Sequence, residues 1–210
     1  MRLSILASCL GMLWMSLSIG LPLTMFMEAI GASGVMIGLL ATVRLMSMAA
    51  QIPGAMLCER MGSRKRVWAT LVLTHRALWL VLAILALLWV PDQRWVPLAV
   101  LATIALSELL GNAGGAPWIS WMTDLVPSKT SGRFWGTRQS VVMAVSVLGL
   151  WLAGFILDQY RNHGADTMNM AGFAVVFGLA ALLGVSDVIV HLGVREPRPS
   201  PADMAATQLD

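Results

Sequence analysis

Charge is scarce in this chain. Only 12% of its 210 residues are Asp, Glu, Lys or Arg, against about 25% in an ordinary soluble domain. A sequence so poor in charge cannot clothe a solvated globular surface. Cysteine is nearly missing too. Cys9 and Cys58 are the two, and they fit neither a disulfide framework nor a metal site. The fifteen methionines form no metal-binding cluster. No metal and no cofactor is implied. The small net charge of +3 needs no nucleic acid to explain it, because the basic residues have another account, given below.

What the chain has instead is apolar length. It is 58% hydrophobic, with a mean hydropathy of +0.76. The apolar residues fall into six blocks, about 5–26, 35–57, 67–90, 96–119, 139–157 and 171–194. About 20 apolar residues cross a bilayer as a helix, and in lipid only a helix or a closed barrel satisfies its own backbone. An all-α, six-span bundle over residues 1–194 is expected. The separators read as turns. Residues 195–210, "REPRPSPADMAATQLD", form a polar tail whose composition suits disorder. The box "LASC" at Leu6–Cys9 resembles a lipoprotein cleavage site, but too few residues precede it. The first span is therefore read as uncleaved.

Lys and Arg collect on the cytoplasmic side of membrane proteins. With the N-terminus inside, that side holds Arg2, Arg60, Arg64, Lys65, Arg66, Lys129, Arg133, Arg138, Arg195 and Arg198. The other side holds Arg94 and Arg161. Both termini are thus placed in the cytoplasm, with the chain in the inner membrane. Trp89 and Trp95 near one interface, and Trp68, Trp121 and Trp135 near the other, read as aromatic belts.

The densest charge is "LCERMGSRKRV", residues 57–67. Gly62 permits a tight reversal between two helices, since it tolerates positive φ. Glu59 closes one helix and bases open the next, both unfavourable for the helix dipole. That mismatch asks for partners elsewhere. The stretch resembles the loop 2–3 signature of the major facilitator superfamily, Gly-x-x-x-Asp-Arg-x-Gly-Arg-Arg. Glu59, Arg60 and Gly62 match, with Glu for Asp. Ala55 stands at the first Gly, with Gly54 one residue early, and Ser63 precedes Arg64 and Lys65. A second loop, "TDLVPSKTSGRFWGTRQS", is similar to the family's loop 4–5 pattern at Asp124, Pro127, Gly132, Arg133, Gly136 and Arg138. The fifth span, "VSVLGLWLAGFILD", lacks the proline of the drug/proton antiporters.

The resemblance covers the N-terminal six-helix half of a twelve-span fold. It implies two inverted three-helix repeats and secondary transport of a small solute by alternating access, with H+ as a possible coupling ion. It also implies a gate built on Glu59, Arg60, Gly62, Arg64, Arg133 and Arg138. Glu59 is expected to pair with Arg133 or Arg138. The partner would be a missing C-terminal half or a second copy. The alternative is a half-length protein that does not transport, or a homodimeric half-carrier.

Ionisable groups inside a bilayer are costly and point to function. Arg44 lies ~14 Å and Glu108 ~18 Å into their spans at 1.5 Å per residue. Arg44, Ser47 and Gln51 share one helix face, and Glu108, Gly111, Asn112 and Gly115 share another. Arg44, Gln51, Glu108 and Asn112 are the expected cavity residues, with Arg44 and Glu108 as a candidate pair. Arg76, beside His75, is expected to snorkel towards the cytoplasm. Asp187 and His191 sit one turn apart on span six. They could pair locally or relay a proton. His163 carries no evident chemistry. A rival reading casts Ser33 in "GASG" and His191 as nucleophile and base of a rhomboid-like protease. It fails on topology, because the two residues lie at opposite faces of the membrane and would have to meet within about 3 Å.

Overall fold

The computed structural model describes residues 2–91, 93–162 and 167–197. Within them eight α-helices build six segments long and apolar enough to cross a membrane. They are α1 (Arg2–Ser18), α2 (Leu21–Ala29), α3 (Gly34–Ser47), α4 (Gln51–Met61), α5 (Arg64–Leu87), α6 (Val96–Leu125), α7 (Ser131–Gln159) and α8 (Met170–Leu192). A two-residue antiparallel ladder, Arg161–Asn162 with Thr167–Met168, is the one departure from helix and turn among the described residues. His163 and residues 198–210 of the tail lie outside the described residues.

The first span is not the continuous helix expected. It breaks between α1 and α2 at Gly20, whose φ is 84°. Pro22 follows in the first turn of α2, where its missing N–H costs nothing. The second span is also jointed. A 3₁₀ turn, Met48–Ala50, separates α3 from α4. Pro53 explains the tightening, for its ring crowds the carbonyl four residues back and it donates no hydrogen bond to it. The fifth span starts earlier than hydropathy predicts, at Ser131. Its basic first turns are helical, and Phe134 is buried against Met122 and Val126.

The packing has an exchange symmetry. α1 packs on α7 and α8, α6 on α3, α4 and α5, and α5 on α8. Swapping spans one, two and three for four, five and six leaves that set of pairs unchanged. Consecutive spans alternate in direction, so span four runs opposite to span one. The bundle is therefore two inverted three-helix repeats. Two glycine contacts obey the same exchange. A methyl on Gly54 of span two would press into the backbone of Ala113 on span four. One on Gly149 of span five would lie 2.6 Å from Ser16 Cβ on span one. Pro117 in α6 has no N–H to reach Ala113. The carbonyl it frees is the one that Gly54 covers. The apolar core joins Trp14, Trp79, Phe26, Phe173 and Phe177, with Phe26 edge-on to Phe177 at 5.2 Å.

Candidate functional site

The polar residues of the spans meet in a cavity of about 350 Å³ to which all six spans contribute. Arg44, Glu108 and Asn112 line it; Gln51 does not. The helix joint at Met48–Ala50 lies between Arg44 and Gln51, which breaks the face they would share on a regular helix. Asn112 Nδ2 donates to Ser47 Oγ at 2.9 Å and to the Glu108 carbonyl at 3.0 Å. Glu108 is buried and Arg44 is exposed. They share the cavity without an ion pair, so the candidate pair is not closed in this structure.

The buried ion pair belongs to Arg76. It does not snorkel. Its Nη2 donates to Asp187 Oδ2 at 3.2 Å, with both side chains largely buried. The Trp14 ring covers it, 3.5 Å from Cζ to the ring centroid. Two glycines make the room. A methyl on Gly11 would lie 2.7 Å from Asp187 Oδ2, and one on Gly184 would lie 2.8 Å from Arg76 Cδ. With a carboxylate and an aromatic face within reach, the guanidinium has partners that the interface would otherwise supply.

Asp187 also holds His191. Oδ1 lies 3.4 Å from His191 Nδ1, while Trp118 Nε1 donates to His191 Nε2 at 3.2 Å. Indole is a donor only, so Nε2 is the acceptor and Nδ1 carries the proton. Trp118 packs in turn on Arg138, whose Cζ is 5.0 Å from its ring. Arg138 Nε donates to Ser8 Oγ at 2.8 Å. His75 Nδ1 lies 2.7 Å from Ser107 Oγ, linking spans three and four.

The gate residues are placed apart. Arg138 lies on α7 and lines the cavity. Glu59, Arg60 and Arg133 are exposed, and among the described residues Glu59 forms no ion pair with Arg133 or Arg138. Gly62 closes α4 in the left-handed conformation, φ 64°. Beyond it the dipole mismatch is resolved by three helix ends meeting. Arg64 pairs with Asp124 at the end of α6. Lys65 Nζ donates to the carbonyl of Val194 at 3.0 Å, and also to that of Leu192 at the end of α8. Glu196 supplies the missing acid at the start of α5, accepting from Lys65 N at 3.1 Å and Ser63 Oγ at 3.0 Å. Arg64 and Lys65 thus reach the C-terminal ends of other helices and Glu196 sits at an N-terminus, while Glu59 stays exposed near the end of α4.

Sequence reasoning missed span one. Ser8, Gly11 and Met15 line the cavity. Their i, i+3, i+7 spacing repeats the small-and-polar stripe of α6, and that stripe was the available clue. Ser33, the rival nucleophile, caps α3 by accepting from Met36 N at 3.3 Å. Its partner in that reading, His191, is held by Asp187 and Trp118.

A family model described as Major Facilitator Superfamily matches residues 3–208. No curated protein and no solved structure matches the chain.

Proposed function

The chain belongs to the Major Facilitator Superfamily, and from that premise we propose that it carries a small solute across the membrane by alternating access. Members of the family are transporters, and six membrane-crossing helices make this an integral membrane protein. The observation that carries the reading is the cavity. Ionisable groups from span two, three, four, five and six converge on it, at the junction of two inverted repeats, where carriers hold their solutes. Glu108, buried in its wall, is the proposed coupling residue, with H+ as the ion. Arg44 and Asn112 are proposed solute contacts. No catalytic role is proposed for any residue.

One bundle encloses half a site. Span two is the least covered of the six, with 6% of its apolar window buried against 50% for span six. A second six-span bundle, either a C-terminal half or another copy, is proposed to dock on spans two and five. The cluster of helix ends around Gly62, with exposed Glu59 and Arg60 beside it, is the proposed cytoplasmic gate, and both termini are placed on that side of the inner membrane. The test is accessibility. In a variant with Cys9 and Cys58 replaced by alanine, a single Val142→Cys in the cavity wall is challenged with an impermeant maleimide. Right-side-out and inverted vesicles should both label it. Labelling from one side under every condition would refute alternating access.

A further inference from the structure

We propose that the solute is a monocarboxylate, held in the cavity by Arg138. The inference rests on the carrier reading above and names the substrate class of that cavity. The first support is charge. Three guanidinium groups line the cavity, Arg44, Arg76 and Arg138, against two carboxylates, Glu108 and Asp187. Asp187 is taken by Arg76 and also faces His191. With Glu108 ionised, one positive charge is left over. The second support is the setting of Arg138. Among the described residues no carboxylate lies within 4 Å of Arg138. Its polar partner is the neutral Ser8 hydroxyl, and its Cζ lies 5.0 and 5.5 Å from the Trp118 and Trp135 rings. The guanidinium fork, with one N–H on Ser8, keeps further N–H donors for a ligand in the cavity it lines.

The third support is the match of charge. Four side-chain nitrogens without a hydrogen-bond partner among the described residues, Arg76 Nε and Nη1, Trp14 Nε1 and Trp79 Nε1, are closed off behind the cavity wall and do not reach a solute. The wall's surplus positive charge is complementary to an anion. A single excess charge matches a carboxylate better than a phosphate, which carries nearly two.

The experiment uses the full chain in nanodiscs and two matched sets of probes. One is butyrate, butyramide and butylamine; the other is phenylacetate, phenylacetamide and phenethylamine. The unfolding midpoint and tryptophan emission report binding. Only the two carboxylates should shift them saturably. Arg138→Gln should weaken that binding about tenfold or more, the value of a charged hydrogen bond, while Arg94→Gln, at an exposed residue outside the cavity and the gate, leaves it unchanged. Glu108→Gln removes a like charge and should tighten it, which keeps a test should Arg138→Gln not fold. Equal or stronger response to an amide or amine, no response to any probe, or wild-type affinity in Arg138→Gln would overturn the proposal. The carrier reading fails separately. Carboxylate binding with one-sided maleimide labelling keeps the anion site and removes the carrier; two-sided labelling without carboxylate binding does the reverse.

Discussion

Gly54→Ala tests the closest approach in the fold. The added methyl would stand 2.7 Å from the carbonyl carbon of Ala113 and 2.8 Å from its Cα. Carbon atoms pack best at about 3.5–4.0 Å, so α4 must withdraw from α6 by roughly 1 Å. Both sides of the contact are backbone, and no side chain can swing aside to absorb the shift. A gap of that size forfeits about a quarter to a half of each contact's attraction along the interface. Overpacking of this kind costs about 1–3 kcal/mol. Gly38 on α3 provides the control, since nothing lies within 4 Å of a methyl there. Gly38→Ala should gain up to about 1 kcal/mol from helix propensity alone. The assay is thermal unfolding in detergent, followed by tryptophan emission and by loss of the monodisperse peak. At about 2–4 °C per kcal/mol for a chain of this size, Gly54→Ala should unfold several degrees early and Gly38→Ala no earlier than the parent. A Gly54→Ala protein that unfolds within a degree of the parent would refute the close-packing argument. So would an equal loss in Gly38→Ala.

Three further outcomes are expected. Asp187→Asn strips the partner from a buried guanidinium and should cost about 3–5 kcal/mol; Asp187→Asn with Arg76→Gln should be less damaging than Asp187→Asn alone, and a strictly additive cycle in the same unfolding assay would disprove the pair. Ser107→Ala removes the hydroxyl beside the buried His75 Nδ1 but leaves the Ser107 carbonyl, also at 2.7 Å, so it should cost only about 0.5–1.5 kcal/mol, read as a lower midpoint; no change would mean that the hydroxyl contributes nothing. Ser63→Ala removes both the cap on Arg66 N and the bond to Glu196. It should lower stability by about 1 kcal/mol and raise hydrogen exchange in the first turn of α5, and unchanged exchange there would refute the capping role.

The parts of the fold that were legible depend on one-dimensional regularities. Apolar length locates the six spans, and Gly62 between two charged runs marks a reversal. Glu108, Gly111, Asn112 and Gly115 declare a helix face by spacing, and that face does meet the cavity. What stayed hidden depends on partners far along the chain. Arg76 sits among apolar neighbours in sequence, yet Asp187, 111 residues away, holds it inside the bundle. Nothing near residue 76 announces that, although Gly11 and Gly184 mark the space it needs. The joint at Met48–Ala50 was missed for a different reason. Pro53 stands after the tightened turn, and its effect runs backwards by four residues, so a regular helix drawn through Arg44, Ser47 and Gln51 puts Gln51 on a face it does not occupy. Hydropathy likewise ended span five at its arginines. The helix continues because Phe134 has a place to pack, and Arg138 is thereby carried into the wall.

The paired glycine contacts have a mechanical consequence. Span two, which faces outward, is seated backbone to backbone on span four at Gly54, and span five is seated on span one at Gly149. Neither joint leaves room for slip. Each outer helix is thus coupled rigidly to an inner one, and Asn112 lies one residue from the Gly54 joint on the inner side. A push on the exposed flank of span two is delivered to the cavity wall as displacement rather than absorbed as strain. The interruptions of regular helix at Gly20 and Met48–Ala50 lie away from both contacts, on the same two spans that carry them or receive them.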